Sequence, residues 1–475
     1  MRRTAAAGPR DAALAALLEI ERAGLSAKDA LEAELRRQTL GEADRALATA
    51  LTYGVARERR ALDEVLRRHS RRAPERLDPT VRAILRLALY QLRSLDRIPP
   101  HAAVYEAVEQ ARRHAPPGAE RFVNAVLRSV LREAGSPAAA GAEAGSGTGP
   151  GPGAGTAAAS GRLADEARRL ASAHSFPVWI VERWLPRYGP AATEAMLAAL
   201  NRPPDVTLRV NRLRATVDEV RESLEREGVA VEPARLFPEH ALRVRRTRGL
   251  ARLEAFRRGW VQAQDESSMV AAAALGAQPG ELVLDVAAAP GGKACQLAEW
   301  MGDSGRVVAN DADPHRAALI RENAGRLGLT SVEVLCGDAR ALPERFAGAA
   351  DRVLADVPCT GLGVLHRRPE ARWRKRPSDP AQLSRLQLEL ARAAADCLRP
   401  GGVMVYSTCT TEPEENEEVV ARLLAERPDL ALDDLRPHLP PALRGEPSAA
   451  RGWLLLLPHR HGVDGFFVAR LVRRG

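Results

Sequence analysis

Two cysteines, Cys359 and Cys409, each stand just past an apolar run, Leu354-Ala-Asp-Val-Pro-Cys-Thr360 and Val405-Tyr-Ser-Thr-Cys-Thr410. Both runs read as buried strands, so each thiol sits at a strand end, where a sulfur with a lowered pKa can serve as a nucleophile. A third such run, Leu282-Val-Leu-Asp-Val286, leads into Ala287, Ala288, Ala289, Pro290, Gly291, Gly292 and Lys293 and then a helical stretch. Small residues there let the backbone approach a ligand at the carboxyl edge of a first strand, which is where open sheets bind nucleotides. The same glycines would also suit a merely tight connection. Gly-x-Gly-x-x-Gly is absent, and Lys293 is followed by Ala294 rather than Ser or Thr. A nicotinamide fingerprint and a phosphate loop are therefore disfavoured. Asp311 comes about 20 residues past the glycines, after a second strand, where an acid can accept hydrogen bonds from ribose hydroxyls. Asp338 follows a third strand at the same edge. Together these acids describe a nucleoside pocket without a triphosphate clamp. Cys295, Cys336 and Cys397 are expected to be small buried apolar residues within elements.

Holding such groups together requires alternating elements. Strands at 282–286, 306–310, 332–335, 352–355 and 403–408, separated by helical patterns, predict a doubly wound, mostly parallel α/β sheet over residues 259–475. Ahead of it, helical segments at 163–173 and 178–188, a strand-like run at 206–210, a helix at 217–227 and an extended piece from Val229 suggest a small α+β module over 162–258. Residues 135–161 are almost wholly Gly, Ala, Pro, Ser and Thr. That composition cannot bury enough apolar area to offset ordering entropy, and it predicts a flexible linker.

Residues 1–134 read as an all-helical bundle. After the cap and first-turn pair Asp78-Pro79, one face carries Val81, Ile84, Leu85, Ala88, Leu89, Leu92 and Leu95. Phe122, Val123, Val126, Leu127, Val130 and Leu131 form a second stripe.

The chain has 475 residues, enough for two or three domains. Its 70 Lys and Arg against 61 Asp and Glu give a formal charge of +9, which suits a polyanionic partner. Five cysteines without paired spacing suggest neither a disulfide framework nor a metal site, and fit a reducing cytoplasm. No secretory apolar region and no run of about 18 apolar residues is present, so a membrane partner is not expected. The stretch His366-Arg-Arg-Pro-Glu-Ala-Arg-Trp-Arg-Lys-Arg376 holds six Arg or Lys, one acid and one Trp. Phosphate neutralisation with aromatic stacking is how unpaired RNA is held, which makes Arg367, Arg368, Arg372, Trp373, Arg374 and Lys375 candidate RNA contacts. A second basic stretch, 243–258, could extend that track.

Several of these words resemble the bacterial small-subunit ribosomal RNA cytosine carbon-5 methyltransferases. They are the 287–293 turn, Asp356-Val-Pro-Cys-Thr-Gly-Leu-Gly-Val364, Arg368-Pro-Glu-Ala-Arg-Trp373, Ser407-Thr-Cys409, Pro413-Glu-Glu-Asn416, Asp464-Gly-Phe-Phe467 and Gln264-Asp265-Glu-Ser-Ser268. The front of the chain, with Phe122-Val-Asn-Ala-Val-Leu-Arg128, resembles the NusB-type RNA-binding domain of the branch that modifies cytosine 967 of 16S RNA. Ala287 departs from the family, which usually has cysteine there. The resemblance implies S-adenosylmethionine as methyl donor, held by the 287–293 turn with Asp311, Asp338 and Asp356. It also implies Cys409 as nucleophile, Cys359 as the thiol that aids release, Asp356 against the base and Lys293 behind Asp356. The implied substrate is 16S RNA or an early small-subunit particle, met by a monomer without metal. Two other classes stay open: an RNA-binding assembly factor with a silent methyltransferase fold, and a nicotinamide oxidoreductase.

Overall fold

The computed structural model describes residues 8–134, 156–245 and 249–475. These form two compact units, Met1–Arg202 with Leu365–Lys375, and Pro203–Val364 with Arg376–Gly475.

The first unit is helical: α1 (Pro9–Ala23), α2 (Ala27–Arg37), α3 (Glu42–His69), α4 (Pro79–Ser94), α5 (Pro100–His114), α6 (Ala119–Ala134), α7 (Thr156–Ala173) and α8 (Val178–Asn201). Helix α4 starts where the sequence indicates. The Asp78 carboxylate accepts from the Thr80 and Val81 amides at 2.9 and 3.1 Å, and Pro79 spends no backbone donor at the first turn. Val81, Ile84, Leu85, Ala88 and Leu89 are buried, while Leu92 and Leu95 pack partly exposed at the helix end. Val123, Val126 and Leu127 of α6 are buried in the same core.

Three expectations bear on this unit. Helices α7 and α8, expected to open the small α+β module, group with this unit by their contacts, and Ser175, just past α7, accepts the Arg60 amide of α3 at 3.0 Å. The expected linker lies largely outside the described residues, and its last part is already helical from Thr156. The basic stretch is largely internal. Arg372 is fully buried, donates to Asn201 Oδ1 at 2.8 Å and to the Ser175 and Leu200 carbonyls, and stacks 3.8 Å over the Phe176 ring. Trp373 donates its indole N–H to the Ala56 carbonyl at 2.6 Å, and Arg374 donates to the Gly24 and Leu25 carbonyls. A guanidinium buried and spent on acceptors inside the protein is not open to phosphate, so the RNA role expected for Arg372 is corrected to a packing role; Trp373 has its N–H spent but its ring stays half-buried, and Arg374 is partly committed. Arg368 is exposed, with Arg367 and Lys375 half-buried.

The second unit contains two sheets. The small one has order β2-β3-β1-β4 and is antiparallel: β1 (Val206–Val210), β2 (Val231–Pro233), β3 (Ala241–Val244) and β4 (Val261–Ala263). Its helices are α9 (Val217–Arg226), started by a Thr216–Glu219 capping box, and the short α10 (Glu254–Arg257). Within the second basic stretch Arg243 pairs with Asp205 and Glu232, Arg245 with Glu232 and Arg258 with Glu254, while Arg252 and Arg257 are exposed. Residues 246–248 lie outside the described residues.

Past α11 (Glu266–Leu275), the large sheet runs through β5 (Leu282–Asp285), α12 (Gly292–Trp300), β6 (Arg306–Asp311), α13 (Pro314–Leu327), β7 (Val332–Cys336), the short α14 (Pro343–Phe346), β8 (Ala350–Asp356), α15 (Asp379–Cys397), β9 (Leu398–Thr408), α16 (Glu417–Glu426), β10 (Leu430–Leu432), β11 (Trp453–Leu456) and β12 (Phe466–Arg473). Strand order is β10-β12-β9-β8-β5-β6-β7, with β11 also on β12. Strands β7, β6, β5, β8 and β9 are parallel, and β12 joins them antiparallel. Buried apolar residues of β5, β6, β8 and β9 point to both faces, as a strand covered by helices on each side requires. Chain order reverses from β5, with β6 on one side and β8 on the other, so the ends of these strands open the crevice where such sheets bind ligands.

Candidate active site

Residues at the carboxyl ends of β5, β6, β8 and β9 build the site. After β5 the chain turns through Ala287, Ala288, Ala289 and Pro290 into Gly291, whose φ of 98° lies in the left-handed region. A Cβ on Gly291 would stand 3.2 Å from the Ile320 side chain of α13, so both backbone angle and space call for glycine. The turn is pinned to its neighbour strand: the Ala288 amide donates to the Asn310 carbonyl at 2.7 Å, and the Ala289 amide to Asp311 Oδ2 at 3.3 Å. Asn310 in turn donates to the Val286 and Gly337 carbonyls at 3.1 and 2.9 Å, joining three strand ends.

Lys293, in the first turn of α12, donates to Asp356 Oδ2 at 2.6 Å, and the Ser407 hydroxyl donates to Asp356 Oδ1 at 2.9 Å. Asp356 and Ser407 are register partners on adjacent parallel strands, which explains the contact. Burial alone would lower Lys293, but Asp356, Asp285 and Cys409 outweigh it and hold the ammonium above its ordinary value.

At the ends of the same two strands, Cys359 and Cys409 bring their sulfurs to 3.2 Å. The hydrogen bond to Cys409, followed by burial and the charges of Cys409, Glu415 and Asp356, pushes the Cys359 thiol well up, so it keeps its proton. The loops touch through backbone as well. The Gly363 amide donates to the Cys409 carbonyl at 3.1 Å, and the Gly465 amide donates to the Gly363 carbonyl at 2.9 Å. A Cβ on Gly363 would lie 2.3 Å from the Gly465 oxygen, so that close approach excludes any side chain.

Of the expected cofactor acids, Asp311 is buried at the end of β6, caps the Asp313 amide and faces Arg316 at 3.3 Å. Asp338 is exposed and held by Arg340, to which it presents both oxygens. Cys295 and Cys397 are buried, as expected, but Cys336 is exposed because it ends β7 rather than lying inside it.

Two features were not singled out from sequence. Asp285, the last residue of β5, is buried with no side-chain partner and at most a weak contact to the Ala287 amide, and burial followed by the charge of Asp356 pushes it up to about 7. The second is Arg209 of β1. Its guanidinium is fully buried against Glu299 of α12, at 2.6 Å, contacts Gln264, and donates to the Gly292 carbonyl at 2.7 Å. The small sheet thus grips the turn that carries Lys293. Sequence offered only Val206-Thr-Leu-Arg-Val210 alternation for Arg209 and an apolar strand end for Asp285.

A nucleoside ligand with a cationic methionine tail fits these residues. Asp311 is an acceptor at the second strand end, Gly291 keeps the turn free of side chains, and Asp285 is a buried carboxylate with spare acceptor capacity beside the turn. Among the described residues no group of three His, Cys, Asp or Glu could hold a metal ion, and no helix is long and apolar enough to cross a membrane.

The doubly wound sheet and its strand-end site are those of a methyltransferase, as comparison with known proteins bears out. Residues 272–472 match the model of the 16S rRNA methyltransferase RsmB/F family, 7–132 that of the NusB family, and 176–250 that of the RsmF/B-like ferredoxin-like domain. A protein of Bacillus subtilis named probable ribosomal RNA small subunit methyltransferase B is 37% identical over 98% of this chain and 99% of its own. The ribosomal RNA small subunit methyltransferase B of Vibrio cholerae is 33% identical over 98% and 97%. Among solved structures, that of PH0851 superposes with a TM-score of 0.78 at 30% identity, covering 98% of each chain. A methyltransferase homologue from Pyrococcus horikoshii gives 0.55 at 29% identity, over 66% of this chain and 99% of that one. This chain belongs to the ribosomal RNA small subunit methyltransferase B family.

Proposed function

We propose that the protein transfers a methyl group from S-adenosylmethionine to carbon 5 of a cytosine in RNA, cytosine 967 of 16S RNA, through a transient bond between Cys409 and carbon 6. The observation that carries this reading is the pair of sulfurs 3.2 Å apart beside the Lys293–Asp356 ion pair. One thiol would suffice for a nucleophile; two in contact suit a reaction that must both form and break a carbon–sulfur bond.

Carbon 5 of cytosine is too electron-poor to attack a methyl group directly. Addition of the Cys409 thiolate to carbon 6 pushes the ring electrons towards the ring nitrogen and leaves carbon 5 nucleophilic, dividing one hard step into two. Asp356 holds the ring nitrogen and exocyclic amine, with a shared proton offsetting the charge that develops there, and Lys293 fixes Asp356. When bound, S-adenosylmethionine supplies an electrophilic methyl group. The 287–292 turn, Asp311, Asp338 and Asp285 are the residues assigned to hold it.

Release then requires loss of the carbon-5 proton and departure of Cys409. At rest the thiol pair holds a proton on Cys359, largely because Cys409 is its hydrogen-bond partner. Once Cys409 is bonded to carbon, that influence disappears and Cys359 gives up its own proton to solvent more readily. As a thiolate it takes the carbon-5 proton; the electrons re-form the ring double bond and expel Cys409 as thiolate. The target base must leave its stack, which costs a few kcal/mol and less in a looped RNA. The exposed Arg368, with Arg367 and Lys375, is assigned to phosphate.

Mapping 5-methylcytosine in 16S RNA from cells with and without the gene, together with tritium transfer from labelled cofactor, tests the reading. A methylated cytosine lost with the gene and restored by the protein is expected. No transfer from an intact protein would instead mark an assembly factor with a silent fold.

A further inference from the structure

The stretch Pro413-Glu-Glu-Asn416 takes no part in the chemistry above, yet its Glu415 and Asn416 side chains bind both thiol loops. Glu415 is fully buried. Its Oε1 accepts from the Thr360 amide at 2.8 Å and from Gln387 Nε2 at 2.9 Å, while its Oε2 accepts from the Thr360 hydroxyl. Thr360 and Thr410 join hydroxyl to hydroxyl at 2.8 Å, and Gln387 also donates to the Pro358 carbonyl at 2.9 Å. Asn416 completes the set, accepting from the Thr408 hydroxyl and donating to the Thr410 carbonyl at 3.1 Å. Pro358 and Thr360 flank Cys359; Thr408 and Thr410 flank Cys409. Both neighbours of each thiol are therefore tied into one buried network whose centre is the Glu415 carboxylate.

We infer that Glu415 is a positioning residue for the two-thiol reaction, setting the distance between the Cys359 and Cys409 sulfurs without touching substrate. A carboxylate suits the task because it offers acceptors on both oxygens to donors from different directions, and a buried carboxylate is retained only where such donors satisfy it. The network explains how two loops that could relax independently keep their sulfurs at hydrogen-bond range. It also places a negative charge where it raises Cys359 further and helps keep that thiol protonated before the adduct forms. In Glu415→Gln the amide oxygen can still accept from Thr360 and Gln387, and the amide nitrogen can donate to the Thr360 hydroxyl in place of Oε2, so spacing survives while charge is lost. In Glu415→Ala both are lost, leaving the Thr360 and Gln387 donors without partners.

This inference rests on the two-thiol reading, and its test separates the two. Phenylarsine oxide, which binds two adjacent thiols together, is titrated against the full-length protein without RNA, with Cys359→Ala as the control that should not bind. Glu415→Ala is expected to bind the arsenical at least about tenfold more weakly and Glu415→Gln within about threefold of wild type. In parallel, Glu415→Ala should lose kcat with KM for RNA little changed, and Glu415→Gln should recover much of kcat while its pH–rate profile moves to lower pH as Cys359 ionises more easily. If Glu415→Ala proves unfolded by circular dichroism, Gln387→Leu, which removes one strut, takes its place and must weaken arsenical binding. Unchanged arsenical affinity and kcat in the folded variant, or lost kcat with unchanged affinity, overturns the positioning role. A wild-type protein that binds arsenical but methylates no cytosine overturns the proposed reaction and the role of Glu415 in it, and leaves only its control of the spacing between the two thiols.

Discussion

The sulfurs of Cys359 and Cys409 are 3.2 Å apart although 50 residues separate them in the chain. Parallel pairing of β8 with β9 aligns the strand ends, and the buried Glu415 network draws the loops beyond them together. Proximity of this kind converts an encounter between groups into a fixed geometry.

Replacing the nucleophile should remove activity. Cys409→Ser keeps shape but offers a far weaker nucleophile, and methyl transfer to RNA is expected to fall by about 10³-fold or more. Turnover above a few per cent of wild type in a tritium-transfer assay would reject the covalent role.

Cys359→Ala should stop the reaction after methyl transfer. A protein–RNA adduct that survives denaturation is expected, visible as a slow band on a denaturing gel and absent from the double variant with Cys409→Ser. If the single variant yields free methylated RNA at the wild-type rate, release does not depend on this thiol.

The buried Asp285 predicts a pH-dependent stability. Burial, then Asp356, raises it to about 7 from the ordinary 3.8. A carboxyl whose folded value is raised favours the folded state fully below the unfolded value, and that contribution is lost as pH rises through the folded value. Asp285→Asn should therefore gain on the wild type between pH 5 and 8 by about 2 kcal/mol. Thermal unfolding at the two pH values measures the difference, and a constant offset would show that Asp285 does not titrate in that window.

Arg372 and Arg368 should separate stability from RNA contact. Arg372→Ala strands the Asn201 side chain and the Ser175 and Leu200 carbonyls in the interior, and a loss of about 2–4 kcal/mol is expected in denaturant unfolding. Arg368→Gln should leave stability alone and lower the log–log salt slope of RNA binding by about 1. A lower slope in Arg372→Ala with unchanged stability would reverse the two assignments.

Removing the grip of the small sheet should be felt at the cofactor turn. In Arg209→Met the Glu299 carboxylate stays buried without its cation, which typically costs about 3–5 kcal/mol, and the Gly292 carbonyl loses its donor. Lower melting temperature together with weaker S-adenosylmethionine binding by calorimetry is the expected pair of results. A destabilised variant whose cofactor affinity is unchanged would confine Arg209 to a structural role.

Much was legible in the sequence because the signals are local. The Asp78-Pro79 cap, the apolar stripes of α4 and α6, the alternation of strands and helices past residue 259, and the small-residue turn at 287–292 each depend on neighbours a few positions away. Cys359 and Cys409 could likewise be assigned to strand ends, and strand ends of a parallel sheet share one edge. What remained for the tertiary structure was the fate of groups whose partners lie far off in the chain. Arg372 and Trp373 read as a basic, aromatic RNA strip, yet the Arg372 guanidinium is consumed by Asn201, backbone carbonyls and Phe176, and the Trp373 N–H by the Ala56 carbonyl, all from distant segments of the first unit. Cys336 read as interior until β7 ended on it. Asp285 and Arg209 gave no signal of their own, and Glu415 only its place in the Pro413-Glu-Glu-Asn416 word without a role, because the burial, ion pairing and hydrogen bonding that define them arise only when strands and loops from different parts of the chain close around a side chain.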